Sequence, residues 1–232
     1  MTNFRFPLAS FPVRESFSHK SQLVTEILYG QLFSVIEEKE SWKKIKIVAD
    51  GYEGWIEFNH NFLSEDLELT VANFYSTINT QKGNVFIYPG AELSKSDLQN
   101  LNYQNSFSDI ISLAKSYLNT PYLWGGKTSR GIDCSGFIQV LYATQNISLP
   151  RDACQQADIG VTINFEDKRE GDLAFFLNEN GKIIHVGLVI DQNCIIHASE
   201  LVRVDILTDD GIWNNELNKL THNLFSIKRP IH

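Results

Sequence analysis

The stretch that most limits the fold is 120–144, TPYLWGGKTSRGIDCSGFIQVLYAT, because its two halves cannot share one kind of structure. The first half is rich in Gly and Ser and excludes regular structure, whereas FIQVLYA after Gly136 has the apolar spacing of a buried helix. Cys134 therefore falls at or just before a helix N-terminus. Unpaired backbone N–H groups and a positive partial charge there are expected to favour thiolate over thiol and to offer donors to an oxyanion. Small neighbours, Ser135 and Gly136, leave room for a substrate carbonyl, which makes Cys134 the candidate nucleophile. A cysteine taken at random is a small buried hydrophobe, but a Gly-rich approach loop, an adjacent Asp133 and a helix start together argue otherwise. Cys154, in a polar Gln-rich run, and Cys194, at a turn edge, keep that inert reading.

A nucleophile needs a base. Downstream, REGDLAFFLNENGKIIHVGLVIDQNCIIHAS contains three apolar runs separated by turn sequences at 178–181 and 191–193, with His185 in the second run and His197 in the third. If 191–193 is a three-residue loop, Ile190 faces Cys194 and Gly187 faces His197. His185 is then diagonal to His197 on one sheet face, with β-carbons ~7 Å apart. A two-residue loop would put the rings on opposite faces. Gly187 leaves space where a strand would otherwise place a side chain between them. Two imidazoles on one face supply a base and the group that fixes its tautomer. His19, His60, His222 and His232 sit in polar or terminal settings and read as surface residues. No CxxC or HxxxH spacing exists, so neither a zinc site nor any other metal or cofactor is expected.

Upstream the pattern changes. LVTEILYGQLFSVIEE and SWKKIKIVADGYEGWIEF read as short strands broken by turns, with Trp42, Ile45, Ile47, Trp55 and Ile56 spaced for β-structure around an Asp50-Gly51 hairpin turn. VANFYSTI and NVFIY suggest two further strands before a Pro89-Gly90 turn. SDIISLAKSYL then has a helical face with Ser108 as the expected cap, ended by Asn119 and Pro121. The expected division is a small all-β barrel over 1–64, a connector over 65–105 with room for extra strands packed on the barrel, and a second α+β domain over 106–232.

With 232 residues, 43% of them hydrophobic, the chain can bury one substantial core and a second smaller one. A net charge of −8 with no dense Lys/Arg run excludes nucleic-acid and anionic membrane partners. The first 17 residues lack the apolar run of a signal segment, and no stretch approaches the roughly 18 apolar residues of a membrane helix. Three cysteines without paired spacing fit a reducing compartment, so a cytoplasmic location is expected, with lysis or a non-classical route as the alternative, and the chain is expected to be a monomer.

PYLWGG, GIDCSGF, LPRDACQQADIG, GDLAFF, HVGLVI and IIHAS occur in this order between Phe107 and Ser199, and that order resembles the NlpC family of cell-wall cysteine peptidases. The resemblance implies a papain-like fold, with helices packed on an antiparallel sheet. It also implies Cys134 as nucleophile, His185 as base, His197 as third member, and Tyr122 close to the thiol. PVR at 12–14, Gly30-Gln31, the Trp-Lys-Lys-Ile strand and Gly-Trp-Ile at 54–56 are similar to the landmarks of bacterial SH3-like barrels. That combination looks like the subgroup that cleaves murein peptides between γ-D-glutamate and a diamino acid when the N-terminal L-alanine is free, as in murein peptide recycling. There the barrel walls off the cleft and carboxylates bind the alanine ammonium. By position Asp133 and Ser135 fit that role, with Glu15 and Tyr52 from the barrel; Trp124, Arg151 and Asp152 are further candidates for substrate contact. Where many relatives have Glu, this chain has Gln22. An acyltransferase or amidase on the same fold, or a non-catalytic wall-binding protein, are the alternative readings.

Overall fold

The computed structural model describes residues 2–59, 61–63, 68–80, 83–102 and 105–231. The chain is mostly β, and among the described residues the longest helix spans 10 residues. Six strands open it: β1 Asn3–Arg5, β2 Ser10–Arg14, β3 Leu23–Leu28, β4 Leu32–Lys39, β5 Trp42–Ile47 and β6 Glu53–Glu57, in the sheet order β1-β4-β5-β6-β2-β3. Alternation builds the core, since Ile45 and Ile47 point inward with Lys46 exposed between them. They meet Phe6, Val13, Ile27, Phe33, Ile56 and Phe58. Asp50-Gly51 makes the expected turn, with Asp50 Oδ1 accepting from the Tyr52 N–H at 2.9 Å.

Beyond the barrel come β7 Thr70–Val71, β8 Phe74–Thr80, β9 Gly83–Ile87, β10 Glu92–Leu93, α1 Lys95–Gln99 and β11 Asn105–Ser106. VANFYSTI and NVFIY thus contribute paired strands, and Phe74, Ile78, Ile87 and Leu93 share a core with Tyr29 of the barrel. A buried Arg5–Asp97 ion pair and a Tyr29 Oη–Asp97 hydrogen bond of 2.9 Å tie the two units. Gly30 is required at the join: its φ is +73°, and a β-carbon there would fall 1.7 Å from the Glu92 carbonyl oxygen.

The third unit begins with α2 Ile110–Ser116. Its cap is Asp109 and not Ser108: Asp109 Oδ1 accepts from the Ser112 N–H at 2.7 Å, while the Ser108 hydroxyl donates to the Asp109 carboxylate. Then follow β12 Lys127–Thr128, β13 Gly131–Ile132, α3 Cys134–Ala143 and α4 Ala153–Gln156. Seven strands complete the chain: β14 Val161–Ile163, β15 Leu173–Leu177, β16 Ile183–Val189, β17 Cys194–Ser199, β18 Leu201–Leu207, β19 Gly211–Asn214 and β20 Lys219–Arg229. They form one antiparallel sheet, and the extra β19–β20 pairing closes the strands from β15 to β20 into a ring.

Strand alternation gives the ring two cores. Phe175, Val186, Leu188, Ile196 and Ala198 face the helices, packing on Leu113, Phe137 and Val140. Phe176, Val189, Ile195, Leu207 and Ile212 face the interior. His185 and His197 share the interior parity. The barrel docks on this unit through Gln139 Nε2 to Asp50 Oδ2 at 2.7 Å, Arg151 Nε to Thr25 Oγ1 at 2.9 Å and the Lys127 N–H to Glu26 Oε2 at 2.8 Å. Among the described residues no helix is long and apolar enough to cross a membrane.

Candidate active site

Cys134 is the first residue of α3, and Asp133 caps that helix through the Gly136 N–H at 2.7 Å. The same carboxylate accepts from the Gly125 N–H at 2.7 Å and from both Arg151 Nη atoms at 3.0 and 2.6 Å. Arg151 also donates to Ser135 Oγ at 2.8 Å. The Gly-rich approach loop, the cap and the loop before α4 are thereby locked around one buried ion pair. Burial works against the Arg151 charge, but the Asp133 carboxylate outweighs it and raises the guanidinium further.

In front of the pair lies a cleft of about 410 Å³. Glu15, Gln22 and Tyr52 of the barrel form one wall, Tyr122, Trp124, Asp133, Cys134 and Ser135 the other, and Arg151 and Asp152 join them. Every candidate contact residue named from the sequence therefore borders the same space as the thiol. The Tyr52 hydroxyl reaches Asp152 Oδ1 at 3.5 Å across the barrel junction. Burial raises Tyr52 and Tyr122 above the ordinary phenol range, with Asp152 adding to the first and Cys134 to the second. Cys154 is an exposed thiol on the cleft rim and Cys194 is half-buried, so neither is the buried hydrophobe expected.

The surroundings of Cys134 work against the expected thiolate. Burial, followed by the neighbouring Asp133 carboxylate, pushes the Cys134 thiol up to about 12, and hydrogen bonds from the Val186 and Ser135 N–H groups do not compensate. Cys134 Sγ donates to the Ile184 carbonyl at 4.0 Å, so it lies against backbone on both sides of His185. Among the described hydrogen bonds none joins Sγ to the His185 ring, a spacing that catalytic pairs often close only around substrate.

The His185 ring is engaged elsewhere. Pairing of Leu188 with Ile196 puts Gly187 opposite His197, the three-residue alternative, and His185 Nε2 lies 2.8 Å from His197 Nδ1. A β-carbon on Gly187 would fall 2.6 Å from Ile195 Cδ1 and 2.9 Å from His197 Cβ. His197 Nε2 lies 3.0 Å from Asp205 Oδ2, and His222 stacks on His185 with centroids 4.4 Å apart. Burial, then His197 and His222, hold His185 well below its ordinary value. Asp205 and His222 were not anticipated: His222 is packed in the ring, not a surface residue. His19 is exposed and pairs with Glu57, while His60 and His232 lie outside the described residues. One signal could have found Asp205: Arg203 and Asp205 are charged residues of one parity in the otherwise apolar run LVRVDIL.

Residues 119–221 match the NlpC/P60 family, and residues 13–60 match the bacterial dipeptidyl-peptidase Sh3 domain. The probable endopeptidase NlpC of Escherichia coli is 38% identical over 136 residues, covering 56% of this chain and 83% of that protein. The chain belongs to the NlpC/P60 family. It is a cysteine peptidase of that family preceded by an SH3-like domain. A relative spanning both parts is the gamma-D-glutamyl-L-lysine dipeptidyl-peptidase of Bacillus subtilis, 28% identical over 83% of this chain and 78% of its own. The crystal structure of an NlpC/P60 family protein from Bacillus cereus superposes with a TM-score of 0.76 at 19% identity, covering 98% of this chain and 99% of that one. That neighbour shares the fold of the whole chain.

Proposed function

We propose that this peptidase hydrolyses the γ-D-glutamyl–diamino acid bond of murein peptides that carry a free N-terminal L-alanine. The observation that carries the reading is the pair of carboxylates on the cleft, Glu15 and Asp152, neither in an ion pair among the described residues. The Asp133 carboxylate, by contrast, is saturated by Arg151 and two backbone N–H groups. Glu15 and Asp152 therefore receive the alanine ammonium, with Tyr52 orienting Asp152, and Asp133 serves by holding Arg151 and Ser135 in place. The barrel wall limits the cleft on the amine side. The bond type is supported by the relative named as a gamma-D-glutamyl-L-lysine dipeptidyl-peptidase.

In the reaction the Cys134 proton passes to His185 as Sγ attacks the γ-carbonyl carbon. The Cys134 N–H, which has no acceptor within its helix, donates to the developing oxyanion, an interaction worth about 10²–10³ in rate. His185 then protonates the leaving amine of the diamino acid. Water, deprotonated by His185, releases L-alanyl-D-glutamate from the thioester.

The specificity is tested by comparing L-Ala-γ-D-Glu-diaminopimelate with the same peptide N-acetylated. Loss of a charge-assisted contact is expected to lower kcat/KM for the acetylated peptide by about 10–100-fold. Glu15→Gln should raise KM for the free peptide only. Equal cleavage of both peptides would overturn the free-amine reading.

A further inference from the structure

We propose that Asp205, acting through His197, fixes His185 as the tautomer whose Nδ1 is free to take the Cys134 proton. This makes Asp205 a positioning residue, and it rests on the reading of His185 as the base. The argument is one of donors and acceptors. An ionised carboxylate can only accept, so at 3.0 Å from Asp205 Oδ2 the His197 Nε2 must carry a proton. A neutral His197 then presents a bare Nδ1. At 2.8 Å from that lone pair, His185 Nε2 must be the donor. A neutral His185 protonated on Nε2 is bare on Nδ1, and that atom is the base.

The neighbours hold this polarity. Arg203 is ion-paired with Asp205, its Nη2 donating to Oδ1 at 3.1 Å and its Nε lying 2.8 Å from Oδ2, and it is itself paired with Glu216 at 3.1 Å. Burial acts to raise the Asp205 carboxyl, but hydrogen bonds from His197 and Arg203 overcome it and keep it below the ordinary carboxylate range. From β20, His222 stacks on the base. On the far side, a pocket of about 210 Å³ bordered by Glu200, Asn214, Lys219 and Thr221 adjoins Asp205 and His197. Removing the carboxylate frees that space at His197 Nε2 for water, which can donate or accept and leaves the relay without a direction. When the Cys134 proton reaches His185 Nδ1, the positive charge is shared along the same bonds. No proton need travel to Asp205.

The test is a long-range ¹⁵N–¹H correlation spectrum of the full chain with labelled histidines, near neutral pH and without substrate. Wild type should show His185 protonated on Nε2 and bare on Nδ1. Asp205→Asn and Asp205→Ala should show a mixture or the reverse. In parallel, kcat should fall about 10–100-fold in both variants with KM within about twofold. The acid limb of kcat/KM should move to lower pH, because the imidazolium loses its carboxylate. Asp205→Glu should restore part of both. An Nδ1–H form of His185 in wild type, as a doubly protonated His197 would impose, overturns the inference. So do unchanged tautomers in Asp205→Ala. The spectrum needs no turnover, so a wild-type protein inert towards murein peptides would defeat the proposed function and leave this test standing.

Discussion

The Arg151 guanidinium holds the Asp133 carboxylate by two hydrogen bonds, 3.0 and 2.6 Å long, with both side chains almost wholly withdrawn from solvent. Because Asp133 also caps α3 and binds the approach loop, this pair fixes the position of the thiol that follows it. Arg151→Met strands a buried carboxylate and is expected to cost about 3–5 kcal/mol, read as a lowered urea midpoint, with loss of activity. Adding Asp133→Asn should recover part of the stability but not the activity, since the loop and cap lose their acceptor strength.

His222 makes a prediction about pH. Burial first, then His197, lowers it from 6.5 to about 4 in the folded protein. Between those values the unfolded chain binds the proton and the folded one does not, so stability is present above 6.5 and is lost as pH falls towards 4. His185 acts in the same direction. The His222 contribution should be on the order of 2 kcal/mol after allowing for the partial exposure of its ring. His222→Phe, which can keep the stacking, should flatten the dependence of the denaturation midpoint on pH across this window. An unchanged slope would remove His222 from the account.

Gly187 tests the packing between the two strands that carry the histidines. In Gly187→Ala the new methyl meets both Ile195 and the His197 β-carbon. Overpacking of this kind costs about 1–3 kcal/mol. Displacement of His197 should lower kcat more than the melting temperature suggests when compared with a variant of equal stability elsewhere in the ring.

What could be read without coordinates depended on how local its determinants are. The turn at Asp191–Asn193 and the alternation of two adjacent strands were enough to put His185 diagonal to His197, because pairing register is set within a dozen residues. Likewise Asp50-Gly51 marked its hairpin. Asp205 lies past the last recognised motif on β18, which pairs in unbroken register with β17, so only its parity in LVRVDIL pointed to it. His222 lies on a strand whose placement depends on ring closure and on two bulges in β20, beside Phe175 and beside Ile212. No spacing along the chain carries that information. The thiol shows the same limit. A helix start was legible at Cys134, but the burial that outweighs it comes from β16, fifty residues away. At the Asp109 cap the difference was a single residue, between two side chains that both suit the role.

The central claim is that Cys134 attacks the γ-D-glutamyl carbonyl of a murein peptide. Its most direct test is the mass of the product pair formed from L-Ala-γ-D-Glu-diaminopimelate by wild type and by Cys134→Ala. Wild type should yield L-alanyl-D-glutamate and free diaminopimelate, and Cys134→Ala, folded by its circular dichroism, should yield neither. Release of free alanine by wild type, or the same product pair from Cys134→Ala, would contradict it.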